Sequence, residues 1–156
     1  MGMKILFGTG LALWVGSVSN LVPSPASLSI VSGVPGGTVT NTATTSWTVN
    51  LGTLLLSNWS LSVSGAAPAC MNAPLSAISV RCTAITDTGI PLSSHSCAAQ
   101  FNLSATPQTV ASGQDTLAIL NGHRSVTIDY TFTDQWKYYG TSGPCNVSLN
   151  YTLNSF

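Results

Sequence analysis

Apolar and polar side chains alternate along several segments of the chain, and this two-residue period strongly limits its possible folds. The clearest example is 125–136, where Val126, Ile128, Tyr130 and Phe132 alternate with polar residues. Successive side chains of a β-strand point to opposite faces, so the pattern predicts strands with one apolar and one polar face. Strands of this kind form antiparallel sheets that bury one face and expose the other.

The pattern recurs along most of the chain, and turn-forming residues separate the segments. Further strands are predicted at 28–31, 38–50, 52–56, 59–64, 77–83, 100–105, 116–120 and 146–153. Turns are predicted at 64–65, 88–91, 112–113, 121–122 and 140–144, and Asn121-Gly122 has the composition of a two-residue hairpin turn. No helical spacing persists over three turns after the N-terminal segment. The sequence therefore predicts an all-β fold, a single antiparallel β-sandwich of immunoglobulin-like type with about eight strands.

Charged residues are scarce, which excludes several classes of function. They make up 5% of the 156 residues, and the formal net charge is zero. The average soluble domain has about 25%. So few cations cannot form the basic surface that nucleic acid requires. Four scattered Asp and no Glu give no acidic metal cluster, so neither a metal site nor a cofactor site is predicted.

The N-terminus has the pattern of a signal peptide. Lys4 precedes an apolar run at 5–16, and the small residues Ser17 and Ser19 favour cleavage near Ser19-Asn20. The run is shorter than the roughly 20 residues that span a membrane. We therefore expect 1–19 to be a signal peptide and the mature protein to be secreted, touching a membrane only through this segment before cleavage. An uncleaved signal anchor is the alternative.

The even number of cysteines agrees with export to an oxidising compartment. The four are Cys70, Cys82, Cys97 and Cys145, with no C-x-x-C spacing that would favour zinc. Two disulfides are expected. Cys82–Cys97 with Cys70–Cys145 is slightly favoured over Cys70–Cys82 with Cys97–Cys145.

A segment rich in Pro, Ser and Gly separates the signal peptide from the main domain at 38–156. This segment, 20–37, contains Pro23, Pro25 and Pro35, which are excluded from the centre of a sheet. It is therefore expected to form an arm or an edge strand. The position of its Pro-flanked part, 21–31, suggests the hypothesis that this part donates a strand to the open sheet edge of a neighbouring copy.

Two short motifs resemble the WxL family of bacterial cell-surface domains. Asn58-Trp59-Ser60-Leu61 contains a Trp-x-Leu motif, and Tyr151-Thr152-Leu153 lies in a closing strand where the family usually has Trp. Disulfides are not typical of that family. The resemblance implies non-covalent attachment to a cell envelope, or assembly of a surface layer or fibre.

The aromatic residues divide into core candidates and surface candidates. Trp59, Tyr130, Phe132 and Tyr151 lie in alternating strands and are expected in the core. A second group follows a strand and precedes a Gly-Pro loop, so it is a candidate contact for sugars or a protein partner: Trp136, Tyr138 and Tyr139.

N-glycosylation sequons are dense for a chain of this length. Four Asn residues match the N-x-[ST] pattern and are candidate glycosylation sites: Asn58, Asn102, Asn146 and Asn150.

Reactive side chains show no catalytic pattern, so the chain is not predicted to be an enzyme. Asp87-Thr88-Gly89 matches the aspartic-protease tripeptide, but one copy cannot form the shared-proton dyad, and a β-turn is expected instead. His95 and His123 are expected in solvated loops. Asp129 and Asp134 are five residues apart and therefore on opposite strand faces, which argues against glycosidase chemistry.

These observations favour a secreted, non-catalytic structural or cell-surface protein, such as an envelope, fibre or adhesion subunit. Its expected partners are an envelope polymer or copies of itself in a homopolymer, and the expected form is a glycoprotein. A carbohydrate-binding module is the alternative, followed by a small secreted enzyme or inhibitor.

Overall fold

Strands account for almost all of the regular structure. A computed structural model describes residues 18–22, 27–30, 35–49, 57–68, 70, 72–90, 92–117, 122–138 and 145–155. Its strands are β1 (Val18–Val22), β2 (Ser27–Ile30), β3 (Thr38–Val49), β4 (Ser57–Gly65), β5 (Ile78–Thr88), β6 (Leu92–Cys97), β7 (Phe101–Asn102), β8 (Gln108–Leu117), β9 (Gly122–Thr133) and β10 (Cys145–Ser155). One 3₁₀ turn, Leu75–Ala77, precedes β5.

Two antiparallel five-stranded sheets pack face to face, which confirms the predicted all-β sandwich. The first sheet has the order β1-β3-β9-β5-β7, and the second has the order β2-β10-β4-β8-β6. The ten described strands exceed the expected eight, partly because β6 was not predicted. Its sequence, Leu-Ser-Ser-His-Ser-Cys, has no apolar alternation, since β6 is an edge strand with mostly exposed side chains.

The strand order departs from that of an immunoglobulin domain in one respect. Seven strands have six or more residues, and these can be compared in chain order with the seven strands of an immunoglobulin constant domain. In the immunoglobulin order, the first, second, fifth and fourth strands form one sheet and the third, sixth and seventh form the other. Here the first long strand, β3, and the last, β10, have exchanged sheets. Both run in the same direction, so the exchange preserves antiparallel pairing.

The predicted hairpin at Asn121-Gly122 is wrong. The strands on either side, β8 and β9, belong to opposite sheets, so the chain crosses the sandwich there. An Asn-Gly pair signals a local reversal, but it carries no information about which sheet receives the next strand. The predicted strand at 52–56 and Asn121 itself lie outside the described residues.

The inward positions of the alternating strands form one continuous core. Trp59, Tyr130 and Phe132 are buried as expected, and Tyr151 is half-buried against the core. The buried Tyr130 hydroxyl donates a hydrogen bond of 2.9 Å to the Tyr151 hydroxyl. Burial raises the pKa of both phenols, so both stay neutral at physiological pH.

The disulfides join Cys82 to Cys97 and Cys70 to Cys145, the first of the two expected pairings. Cys82 lies in β5 and Cys97 in β6, so this bridge connects the two sheets instead of closing a hairpin. The second bridge attaches the segment after β4 to the first residue of β10. Such bridges indicate an oxidising environment like that outside the cell.

The predicted signal peptide falls mainly outside the described residues, because these begin at Val18. Val18 and Ser19 pair with β3, and cleavage after Ser19 would leave only the last three residues of β1. The described part of the chain contains no helix long and apolar enough to cross a membrane.

Candidate functional site

A buried arginine lies between the two sheets at one end of the sandwich. Arg124 occupies an inward position of β9, on the same face as Val126 and Ile128. Its side chain is 0% exposed. Burial of an isolated charge is costly, so partners must surround this guanidinium.

Two aspartates from opposite sheets hold the Arg124 guanidinium. Nε donates to Asp87 Oδ1 at 2.6 Å and Nη2 donates to Asp87 Oδ2 at 2.7 Å. Nη1 and Nη2 donate to the two carboxylate oxygens of Asp115, at 3.0 and 2.8 Å. Asp87 lies in β5 of the first sheet and Asp115 in β8 of the second. The planar guanidinium thus makes two bidentate contacts that connect the sheets.

Two tryptophans border the same guanidinium. The centroid of the Trp59 ring is 4.4 Å from Arg124 Cζ, and that of the Trp47 ring is 6.0 Å away. The two rings meet edge to face, with their centroids 5.4 Å apart. These distances allow cation–π attraction in a site that excludes water, where it is strongest.

Ser93 and His95 of β6 complete the surroundings of Asp87. Ser93 Oγ donates to Asp87 Oδ2 at 2.6 Å, and His95 Nδ1 lies 3.3 Å from the same oxygen. Burial opposes ionisation of Asp87, but hydrogen bonds from Arg124 and Ser93 and the charge of Arg124 outweigh it and lower its pKa. Burial also opposes the charge of Arg124, yet its two aspartates raise its pKa. Both groups remain charged over the physiological range.

The geometry corrects the turn expected at Asp87-Thr88-Gly89. Asp87 lies within β5 and points inward to Arg124, while the bend is at Gly89, whose φ is +72°. The Arg124 guanidinium lies between the carboxylates of Asp87 and Asp115 and bonds both of them. The two carboxylates therefore do not form a shared-proton dyad. Ser93 donates to an Asp87 carboxylate whose pKa is lowered, and this makes the carboxylate a weak base toward the hydroxyl.

The cluster was missed by the sequence analysis because its members come from three strands of two sheets and share no sequence motif. Arg124 adjoins His123 next to a predicted turn, and this context indicated a solvated residue. The one available signal was the continuing alternation, because Arg124 lies two residues before Val126 and therefore on its face.

The other two aspartates lie apart from each other, as expected from their spacing. Asp129 is half-exposed on the outer face of the first sheet, where it accepts a 2.7 Å hydrogen bond from Thr42 Oγ1. Asp134 is buried, and its backbone pairs with Gly36 and Gly37.

A shallow groove of about 530 Å³ crosses three strands of the second sheet. It is lined by Asn58, Trp59 and Ser60 of β4, Ser112, Gly113 and Gln114 of β8, and Ser94, His95 and Ser96 of β6. The turn predicted at Ser112-Gly113 is wrong, because both residues lie inside β8. A Cβ atom at Gly113 would be 2.3 Å from the Ser94 carbonyl oxygen and 2.8 Å from Trp59 Nε1, so glycine is required for this close approach.

The three candidate contact aromatics have different environments. Trp136 is 88% exposed in the turn after β9. Tyr138 instead packs against the core, with its ring centroid 6.2 Å from that of Phe132. Lys137 Nζ lies 5.5 Å from the Tyr138 ring centroid. Tyr139 lies outside the described residues.

The sequon asparagines lie in strands and differ in access to solvent. Asn102, Asn146 and Asn150 are exposed, whereas Asn58 is half-buried and its Oδ1 accepts a 3.1 Å hydrogen bond from Gln114 Nε2. Their glycosylation remains a prediction, and solvent access favours the first three.

Both sheets have a half-covered edge on the same side of the sandwich. β1 pairs with β3 only at positions 46–49, and β2 pairs with β10 only at positions 145–148. Within the described ranges, no strand covers the outer edge of β3 at 38–45 or of β10 at 149–155. These two edges, called the open edges below, have no strand partner among the described residues, and an edge of this kind is a template for pairing with another chain.

The two motifs that resemble the WxL family lie on neighbouring strands. Trp59 and Leu61 belong to β4, and Tyr151 and Leu153 belong to β10, with Leu153 directly opposite Leu61. Comparison with protein-family models, with curated proteins and with solved structures finds no match.

We predict that Arg124 is essential for stability. Arg124→Met leaves Asp87 and Asp115 buried without their cation, which costs about 3–5 kcal/mol in the free energy of unfolding. Urea unfolding followed by tryptophan fluorescence measures this cost. The matched control is Arg81→Met, at an exposed position of β5, with an expected change of about 0.5 kcal/mol or less. Equal effects of the two substitutions would show that the buried cluster does not stabilise the fold.

The Asp87 carboxylate should make stability depend on pH under acidic conditions. Its pKa is lower in the folded state than the unfolded value of about 3.9, so its contribution is present above about pH 4 and is lost at lower pH. The unfolding free-energy advantage of the wild type over Asp87→Asn should therefore be fully present above about pH 5 and shrink below about pH 4. A difference that stays constant down to about pH 2 would contradict the assignment.

Proposed function

We propose that this chain is a secreted, non-catalytic structural subunit that assembles with copies of itself at a cell surface. The observation that carries the proposal is the pair of open edges. An unprotected sheet edge is a template for pairing with another chain, and monomeric proteins usually block it with charged residues, Pro or bulges. The open edge sequences, Thr-Val-Thr-Asn-Thr-Ala-Thr-Thr and Leu-Asn-Tyr-Thr-Leu-Asn-Ser, contain no charged residue and no Pro.

The rest of the surface offers little electrostatic resistance to association. Arg124, Asp115 and Asp134 are buried, and the Asp87 side chain is 10% exposed. Among the described residues, the charges with substantial access to solvent are Arg81, Asp129 and Lys137. Copies of this chain therefore repel each other weakly, and the surfaces that would meet carry mainly hydroxyl and amide side chains.

The two disulfides and the WxL resemblance support a location outside the cell. Cross-linked cysteines suit an oxidising compartment. The Trp-x-Leu strand and its Tyr-x-Leu neighbour favour attachment to an envelope polymer as a second contact, beside the contact between copies.

Assembly is tested with the protein expressed in a bacterial periplasm and examined by sedimentation and electron microscopy. We expect filaments or large oligomers for the wild type. Asn150→Lys with Thr152→Lys places two charges on the exposed face beside an open edge and should leave monomers. The control is Thr133→Lys, an exposed position on β9, which has neighbours on both sides. A wild type that stays monomeric at high concentration would overturn the proposal.

Carbohydrate binding is the second candidate, and the exposure of Trp136 favours it. An indole in solvent, followed by Lys137, suits stacking on a sugar ring with a nearby hydrogen-bond donor. We predict glycan-array binding that is lost in Trp136→Ala and kept in Leu92→Ala, since Leu92 is the other large exposed apolar residue of the described chain, at 53%. An array without signal, or equal losses in the two variants, would exclude this candidate.

A further inference from the structure

We infer that the first part of the 20–37 arm, residues 20–30, is exchanged between copies, so that β2 of one molecule occupies the β2 position of the next. This inference rests on the proposed self-assembly and adds a contact at the β2 position to the pairing of the open edges. The occupant is a second copy of this chain, because the site that receives β2 is built to fit that sequence.

The position that β2 occupies, beside β10 at 145–148 and within hydrogen-bond distance of Asn41, is called the slot below. Leu28 and Ile30 are 2% and 1% exposed, so their side chains are part of the core. The backbone of β2 pairs with β10, and Asn41 Nδ2 of β3 donates to the Ser29 carbonyl oxygen at 3.3 Å. A chain whose own arm leaves would have an apolar cavity, which the identical arm of another copy fills without loss of contacts.

Among its described residues, the arm has few backbone partners. Each of its strands pairs with one neighbour only, β1 with β3 and β2 with β10. Seven residues link β2 to β3, and four of these are Gly or Pro: Gly33, Pro35, Gly36 and Gly37. Gly36 has a φ of +86° and its N–H donates to the Asp134 carbonyl oxygen. Glycine adopts this turn conformation without strain, and it can equally adopt an extended one.

Exchange through this link gives a polymer without new contacts. A fully extended link of seven residues reaches about 23–25 Å, enough to separate the arm from its own domain. The slot contacts are the same whether β2 binds its own domain or another copy. The protein concentration and the conformation of the link therefore determine which of these two arrangements forms. Head-to-tail exchange repeats one contact, so it extends into a filament when the rotation between copies does not close a ring.

An engineered disulfide across the slot distinguishes the two arrangements. Ser29 and Asn146 are opposite each other in the pairing of β2 with β10, and both are exposed. Ser29→Cys with Asn146→Cys in one chain should give a ladder of covalent oligomers on non-reducing gels. The matched control is Ser60→Cys with Asn154→Cys, which are opposite each other in β4 and β10 and should link within one chain only.

The outcomes separate this inference from the proposed function. Filaments whose slot disulfide forms only within single chains would overturn exchange and leave self-assembly standing. Monomers with the same intrachain link would overturn both. A single covalent dimer would indicate reciprocal exchange and overturn the head-to-tail arrangement. Free thiols at the slot beside a linked control would also overturn the inference, because β2 would then not pair with β10.

Discussion

The contact of Arg124 with two carboxylates holds one end of the sandwich together. It joins β9 and β5 of one sheet to β8 of the other in a site that the Trp47 and Trp59 rings border. Farther along the strands, the Cys82–Cys97 bridge joins β5 to β6. The Cys70–Cys145 bridge lies at the opposite end, where β10 begins. The two sheets are thus cross-linked at two levels, by one ionic and one covalent connection, while the second disulfide attaches the segment after β4 to β10.

Burying the charges has a consequence at the surface. The chain has eight charged residues, and four of them lie inside: Arg124, Asp87, Asp115 and Asp134. Few charged residues therefore remain for the surface. Charged residues are also a common means of protecting a sheet edge, and both open edges lack them. The same distribution of charge that stabilises the interior therefore leaves the edges receptive to other strands.

The N-terminal arm covers these edges incompletely, and this links the fold to the proposed assembly. Its two strands attach to different sheets, β1 beside β3 and β2 beside β10. Leu28 and Ile30 make β2 part of the core. A segment that completes the core yet is joined to its domain by a link rich in Gly and Pro has the properties that strand exchange requires.

The sequence by itself determined the class of the fold and the inward face of its strands. Alternation in 125–136 and 146–153 predicted which side chains are buried, because a strand's period of two depends only on local backbone geometry. Disulfide formation followed from the even number of cysteines, although the sequence left two pairings open. Only the tertiary structure decided which sheet each strand joined, as the wrong hairpin at Asn121-Gly122 shows. It also decided that Asp87, Asp115 and Arg124 meet, since contacts between neighbouring strands and between sheets depend on strand order and leave no periodic trace in the sequence.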